Sequence, residues 1–258
     1  MRDTDVTVSA STLEHIREIT LARSMEDVWA RHIDKMAEFG FDRMIYGFTR
    51  FRSTVTMADM HDAVILTNHS EDYRRAYIDE GLYTQAAMVR WAAENPGALS
   101  WAYAAERMQR GLLSDEERRV LEFNRAHGLT AGYTISFKGV SAISIGAIGL
   151  CARSGMSQEA VDALWAISGG EIVAMNNVMH LKLLQLPYRK GDRLSPRQRE
   201  VLQWVADGKT VQDVACVMGL TAATVEKHLR RARQALDAET TAHAIMKAAI
   251  QNQIFLIE

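Results

Sequence analysis

The stretch Leu194-Ser-Pro-Arg-Gln-Arg-Glu-Val-Leu-Gln-Trp-Val-Ala-Asp-Gly-Lys-Thr-Val-Gln-Asp-Val-Ala-Cys-Val-Met-Gly-Leu-Thr-Ala-Ala-Thr-Val-Glu-Lys-His-Leu-Arg-Arg-Ala-Arg-Gln-Ala-Leu236 reads as three short helices in series. Ser195 is placed to cap the first, with Pro196 at the first helical position. Val201, Leu202, Val205 and Ala206 give it an inward stripe, and Gly208 ends it. Thr210 caps the second helix, whose Val211, Val214, Ala215 and Met218 face inward. Gly219 supplies a tight turn, and Thr221 caps the third. Val225, Leu229, Ala232 and Leu236 form one apolar face of that helix, leaving Thr224, Lys227, Arg230, Arg231 and Arg233 off it.

Four basic residues against one acid, Glu226, lie between Thr224 and Gln234, although the 258-residue chain carries a net charge of −2. Any attraction to a polyanion is therefore local. A helix of this kind fits the DNA major groove, where Arg pairs bidentately with guanine edges and Lys neutralises phosphates. A solvated basic face on an ordinary bundle would carry the same charges. What separates the two is register. Leu194-Ser-Pro-Arg197, Glu200-Val-Leu202, Trp204, Gly208-Lys-Thr210, Val214-Ala215, Thr224-Val225, His228 and Ala244 together resemble the LuxR-type helix-turn-helix over residues 194–258. The resemblance implies a recognition helix from Thr221 to Ala235, with Thr221, Thr224, Glu226, Lys227, Arg230 and Arg231 at the DNA and Glu226 and Arg230 nearest the bases. It implies a double-stranded operator read by a homodimer. Gln198 departs from the family's usual Glu.

Upstream, Pro187 and Pro196 bracket a polar, breaker-rich segment, and residues 187–193 read as a linker. Residues 1–186 mix periods. Ser11 to Phe39 carries apolar positions at helical spacing, and Met44–Arg50, Ala63–Thr67, Ala131–Phe137 and Ala142–Cys151 read as strands. Ser114-Asp-Glu-Glu117 opens a helix reaching about His127-Gly128. Ser157 starts a long one to Leu186, with Gly169-Gly170 weakening its middle. The expected class is α+β: an α/β/α sandwich with an antiparallel sheet, linked to an all-α helix-turn-helix domain.

This upstream region is similar to the autoinducer-binding domain of quorum-sensing regulators. Tyr73-x-x-x-Tyr77, Trp101 fifteen positions after Ala86, and His127-Gly-Leu-Thr-Ala-Gly132 leading into a strand carry the likeness. It implies a small signal molecule held near Tyr73, Tyr77 and Trp101, with Arg74 matching an Arg of some members. Tyr73 stands where the family usually has Trp. Family members that bind acyl-homoserine lactones usually place Asp-Pro where this chain has Ala86-Ala87, and that carboxylate accepts the ligand's amide N–H. An unpaired buried N–H costs about 1–3 kcal/mol. The resemblance therefore implies either a lactone bound weakly, another signal, or a regulator that works without ligand. A heterodimerising antagonist of another LuxR-type protein is the rival from a different class.

Other chemistries lack their residues. Gly208-Lys-Thr210 has no glycine five positions before it, no Gly-x-Ser-x-Gly elbow or His-Glu-x-x-His occurs, and Asp59, His61, Asp62 and His69 read as a solvated loop rather than a metal site. No enzyme, cofactor or metal is expected. Cys151 and Cys216 read as small buried hydrophobes. No long apolar run occurs, and Met1–Ser11 carries Arg2, Asp3 and Asp5, so neither a membrane span nor a secretion signal is expected and a cytoplasmic location follows.

Overall fold

The computed structural model describes residues 9–49, 63–140, 145–186 and 194–254. The chain divides into two compact units, Met1–Leu184 and Gln185–Glu258. The expected linker 187–193, and the loop holding Asp59, His61 and Asp62, lie outside the described residues.

The N-terminal unit begins with two helices, α1 (Ala10–Leu21) and α2 (Met25–Glu38), where one helical period is expected. The break is local. The Ser24 side chain accepts from the Asp27 N–H and starts α2 afresh. β1 (Phe41–Thr49) and β2 (Ala63–Thr67) follow, then α3 (Glu71–Arg74) running into a π-helical turn, Arg75–Asp79. A 3-10 turn (Leu82–Gln85) leads to α4 (Ala87–Glu94), β3 (Gly97–Ser100) and α5 (Ala102–Gln109). α6 (Asp115–Ala126) opens with the expected Ser114/Glu117 capping box. β4 (Gly132–Ser136), β5 (Ile145–Ala152) and α7 (Gln158–Gln185) complete the unit. β3 has no counterpart in the sequence reading, because four residues are too few to show a period.

The five strands lie in the order β2-β1-β5-β4-β3, every neighbouring pair antiparallel. Their two faces differ in bulk. Met44, Tyr46 and Phe48 of β1 pair with Leu150, Ile148 and Gly146 of β5, and this face packs beneath α2 and α7 through Trp29 and His180. The opposite face carries Ile45, Gly47, Ala147, Gly149 and Thr134, small enough to leave space under α4 and α6.

α7 is one unbroken helix despite Gly169-Gly170. Trp165 stacks on Tyr133 with ring centroids 3.8 Å apart, and its indole lies over Gly169, where a Cβ would come within 2.6 Å of the ring. A Cβ at Gly170 meets nothing. Gly169→Ala is therefore expected to destabilise this unit by about 1–3 kcal/mol. Gly170→Ala should stabilise it by up to ~1 kcal/mol, because Ala is the better helix former. Thermal unfolding of the two variants against the parent checks both signs.

The C-terminal unit is all helical: α8 (Pro196–Ala206), α9 (Val211–Met218), α10 (Ala222–Ala235) and α11 (Thr241–Ile250). Ser195, Thr210 and Thr221 cap the first three as expected, and Gly219 ends α9 at φ +64°. Gln198 does what a Glu would do there, since its side-chain oxygen accepts the Ser195 N–H at 2.7 Å and closes a capping box. Val201, Leu202, Val214, Val225, Leu229 and Leu236 share one core. Cys151 is buried as expected, but Cys216 is exposed. It sits on the face of α9 opposite Val214 and Ala215, so the apolar run around it covers both sides of the helix.

Candidate functional site

A cavity of about 210 Å³ opens between the small-residue face of the sheet and the helical layer of α3 to α6. Tyr73, Tyr77, Ala86 and Trp101 all line it, so four of the five residues expected at a ligand converge on one space. Arg74 does not. Its guanidinium is held by Glu71 and by both oxygens of Asp79, at 2.9 and 3.0 Å.

The polar groups of the cavity are unevenly committed. Tyr73 and Tyr77 follow one another at i and i+4 along α3 and its π turn, and their rings stack at 5.0 Å. The Tyr73 hydroxyl donates to Asn124 Oδ1 at 3.0 Å. Trp101 donates its indole N–H to Thr134 Oγ1 at 2.9 Å. The Tyr77 hydroxyl, in contrast, has no hydrogen-bond partner among the described residues, although the residue is only 7% exposed. Burial pushes both tyrosine hydroxyls above their ordinary pKa, so both remain neutral donors. His69 stacks on Tyr73 at 4.5 Å. Burial, with Arg43 nearby, lowers its pKa to about 4.

Ala86 is buried and forms the N-cap of α4, with no side chain capping that helix. The Asp-Pro of lactone-binding relatives would fall at the N-cap and first helical position, where those two residue types are favoured. Among the described residues, the one carboxylate on the cavity wall is Glu117. It is buried, accepts the Ser114 N–H at 2.9 Å and pairs with Arg90 at 3.1 Å. Glu117, Asn124 and Thr134 were not singled out from the sequence. Glu117 looked like a cap alone, and the strand alternation that turns Thr134 inward is visible only once the sheet register is known. Thr134 brings a hydroxyl to the cavity from β4, opposite Gly149 of β5.

On the C-terminal unit, Glu226, Lys227, Arg230 and Arg231 are exposed on α10, opposite Val225, Leu229 and Ala232. None of the four has a side-chain partner among the described residues, whereas Arg233 donates to Thr241 at 2.9 Å. Thr221 and Thr224 share a hydroxyl contact of 2.9 Å at the start of the helix.

A sensor-like cavity in an antiparallel α/β unit and a helix-turn-helix with a free basic face define a ligand-responsive class of transcriptional regulator. Residues 24–183 match the autoinducer binding domain, and residues 192–248 match the luxR family of bacterial regulatory proteins. The chain belongs to the LuxR family of quorum-sensing transcriptional regulators. It is 27% identical over 74% of its length, and 75% of the relative's, to the HTH-type quorum sensing-dependent transcriptional regulator RpaR of Rhodopseudomonas palustris. It is 21% identical to the transcriptional activator protein LuxR of Aliivibrio fischeri, covering 75% of this chain and 76% of that one. In fold it matches SdiA in complex with octanoyl-rac-glycerol, with a TM-score of 0.54 at 17% identity over 97% of both chains. It also matches the lactone-dependent factor CepR2 of Burkholderia cenocepacia, with a TM-score of 0.52 at 16% identity over 67% of this chain and 96% of that one. Among the described residues no helix is long and apolar enough to cross a membrane.

Proposed function

We propose that this regulator binds a double-stranded operator as a homodimer through α10, under the control of a small amphiphilic signal held in the cavity of the N-terminal unit. The observation that carries the reading is the convergence of Tyr73, Tyr77, Ala86 and Trp101 on one largely apolar cavity in a chain that also presents an uncommitted basic helix. Arg230 and Glu226 read base edges. Lys227 and Arg231 hold phosphates, and Thr221 and Thr224 set the depth of the helix start. The signal's chain lies on Gly47, Ala147 and Gly149, and its polar end meets Tyr77 and the start of α4. Domain limits of 1–186 and 194–258 joined by 187–193 suit this division of labour, with the protein in the cytoplasm beside its DNA. SdiA holds octanoyl-rac-glycerol and CepR2 depends on N-acylhomoserine lactone, and an acyl amphiphile suits this cavity too.

The test is operator binding followed by fluorescence anisotropy over a salt series. Arg230→Ala is expected to weaken binding by about 1–3 kcal/mol and relax preference at one base position. Lys227→Ala should weaken all sequences alike and lower the salt slope by about one. Unchanged affinity in Arg230→Ala would remove the assigned base contact. Sequence-independent binding by the parent protein, with heterodimers formed instead, would favour the antagonist reading. Sedimentation of the DNA-free and DNA-bound protein reports the dimer.

A further inference from the structure

Two sets of uncommitted donors belong to the lining of the cavity. α4 contributes its first turn, Ala86 to Val89, to the lining, and the rest of the helix turns away. Its first intrahelical bond runs from the Arg90 N–H to the Ala86 carbonyl at 3.1 Å, so the N–H groups of Ala87, Met88 and Val89 precede the hydrogen-bond ladder. No side chain caps them. The Tyr77 side chain, nine-tenths buried and on the same lining, ends in a hydroxyl with no partner among the described residues, a further donor. Tyr77 and Ala86 belong to one apolar cluster and line the same cavity. The Glu117 carboxylate is already matched by Arg90 and the Ser114 N–H.

We infer that the uncapped start of α4 and the Tyr77 hydroxyl together form a subsite for a hydrogen-bond acceptor. The signal is then an acyl chain ending in a carboxylate or a carbonyl, with no N–H directed at Ala86. An Asp at this place would present an acceptor and fill the N-cap. Ala86 inverts that polarity, and the positive end of the helix dipole favours an oxygen-rich group. This inference rests on the cavity's being the signal site.

Calorimetric titration of the full chain with octanoate, methyl octanoate and N-octanoyl homoserine lactone tests it. The parent protein is expected to bind octanoate or its ester at least about tenfold more tightly than the lactone, whose amide N–H finds no acceptor. Ala86→Asp should reverse the order, since its carboxylate caps Met88 and Val89 and repels octanoate. Tyr77→Phe should weaken octanoate by about fivefold to tenfold. Backbone amides of Met88 and Val89 should exchange more slowly with octanoate bound. A lactone bound as tightly as octanoate by the parent, or octanoate binding untouched by Ala86→Asp, overturns the acceptor subsite. Binding of 1-octanol without discrimination among head groups overturns it too, yet leaves the cavity as the signal site. No binding of any of the four probes overturns both.

Discussion

Lowering the pH from 7 to 5 is expected to destabilise the N-terminal unit by several kcal/mol. Three buried histidines drive this, and the half-buried His69 of the same unit, whose pKa burial also lowers to about 4, adds to it. His15 Nε2 lies 3.2 Å from His32 Nδ1, and His32 Nε2 lies 3.0 Å from Asn176 Oδ1. The Asn176 amide donates to the Ile172 carbonyl, so its oxygen faces His32. His32 must then carry its proton on Nε2 and accept from His15 at Nδ1. A second proton on His32 would set two N–H groups head to head. Burial lowers the pKa of His32 to about 3 and that of His15 to about 4, with Lys35 adding to the effect on His15. His180, whose Nδ1 meets the Tyr46 hydroxyl at 2.8 Å, is lowered to about 4 by burial alone. Each folded pKa lies below the unfolded value near 6.5. The unfolded chain therefore binds more protons below pH 6.5, and stability falls with pH until the folded groups titrate. At pH 5 each histidine costs about 2 kcal/mol, together a large share of a typical domain's 5–15 kcal/mol. Scanning calorimetry of the full chain at pH 7, 6 and 5 checks the result. His32→Leu should lower stability at pH 7 but flatten the pH dependence, because it removes one of the three.

Gly132→Ala is the second large expected effect. A Cβ at Gly132 would lie 2.2 Å from the Leu150 carbonyl oxygen and 3.0 Å from the Trp101 ring. The first contact is with backbone inside the β4–β5 ladder, where Gly132 faces Cys151, so it cannot yield without opening the sheet. The second is with a wall of the cavity. A loss of about 3 kcal/mol or more is expected, or roughly 10 °C in melting temperature for a unit of this size. Thermal unfolding with and without a bound amphiphile would show both the fall and the lost ligand stabilisation. A melting temperature within a degree or two of the parent would mean that the Trp101 and Leu150 contacts are softer than their geometry.

These two sites show what a sequence reveals and what it hides. His127-Gly-Leu-Thr-Ala-Gly132 stood out before any fold was known, and the approach of Trp101 and Leu150 explains its last glycine physically. The caps at Ser114, Ser195, Thr210 and Thr221 were legible because capping is decided within four residues. Tyr73, Tyr77, Ala86 and Trp101 were legible through their register with a family pattern. The histidine relay was not, since His15, His32 and Asn176 are brought together by three separate helices and no local spacing encodes that meeting. Arg74 matched the pattern too, but two nearby carboxylates hold it away from the cavity. The commitment of Trp101 to Thr134 depends on a strand pairing that the sequence does not spell out.

The unequal faces of the sheet have a consequence for folding. Along β1 the order Met44-Ile-Tyr-Gly-Phe48 alternates a filled side with a sparer one, and Ile148-Gly-Leu150 does the same on β5. Sliding β1 by one residue would drive Tyr46 and Phe48 into the cavity and leave Gly47 facing α2 and α7, and the same slip of β5 would drive in Ile148 and Leu150. The slipped sheet would lose its best-packed layer and the space for a ligand at once. The same glycines that make room for a signal thus act as an alignment mark, telling each strand which neighbour residue it must meet.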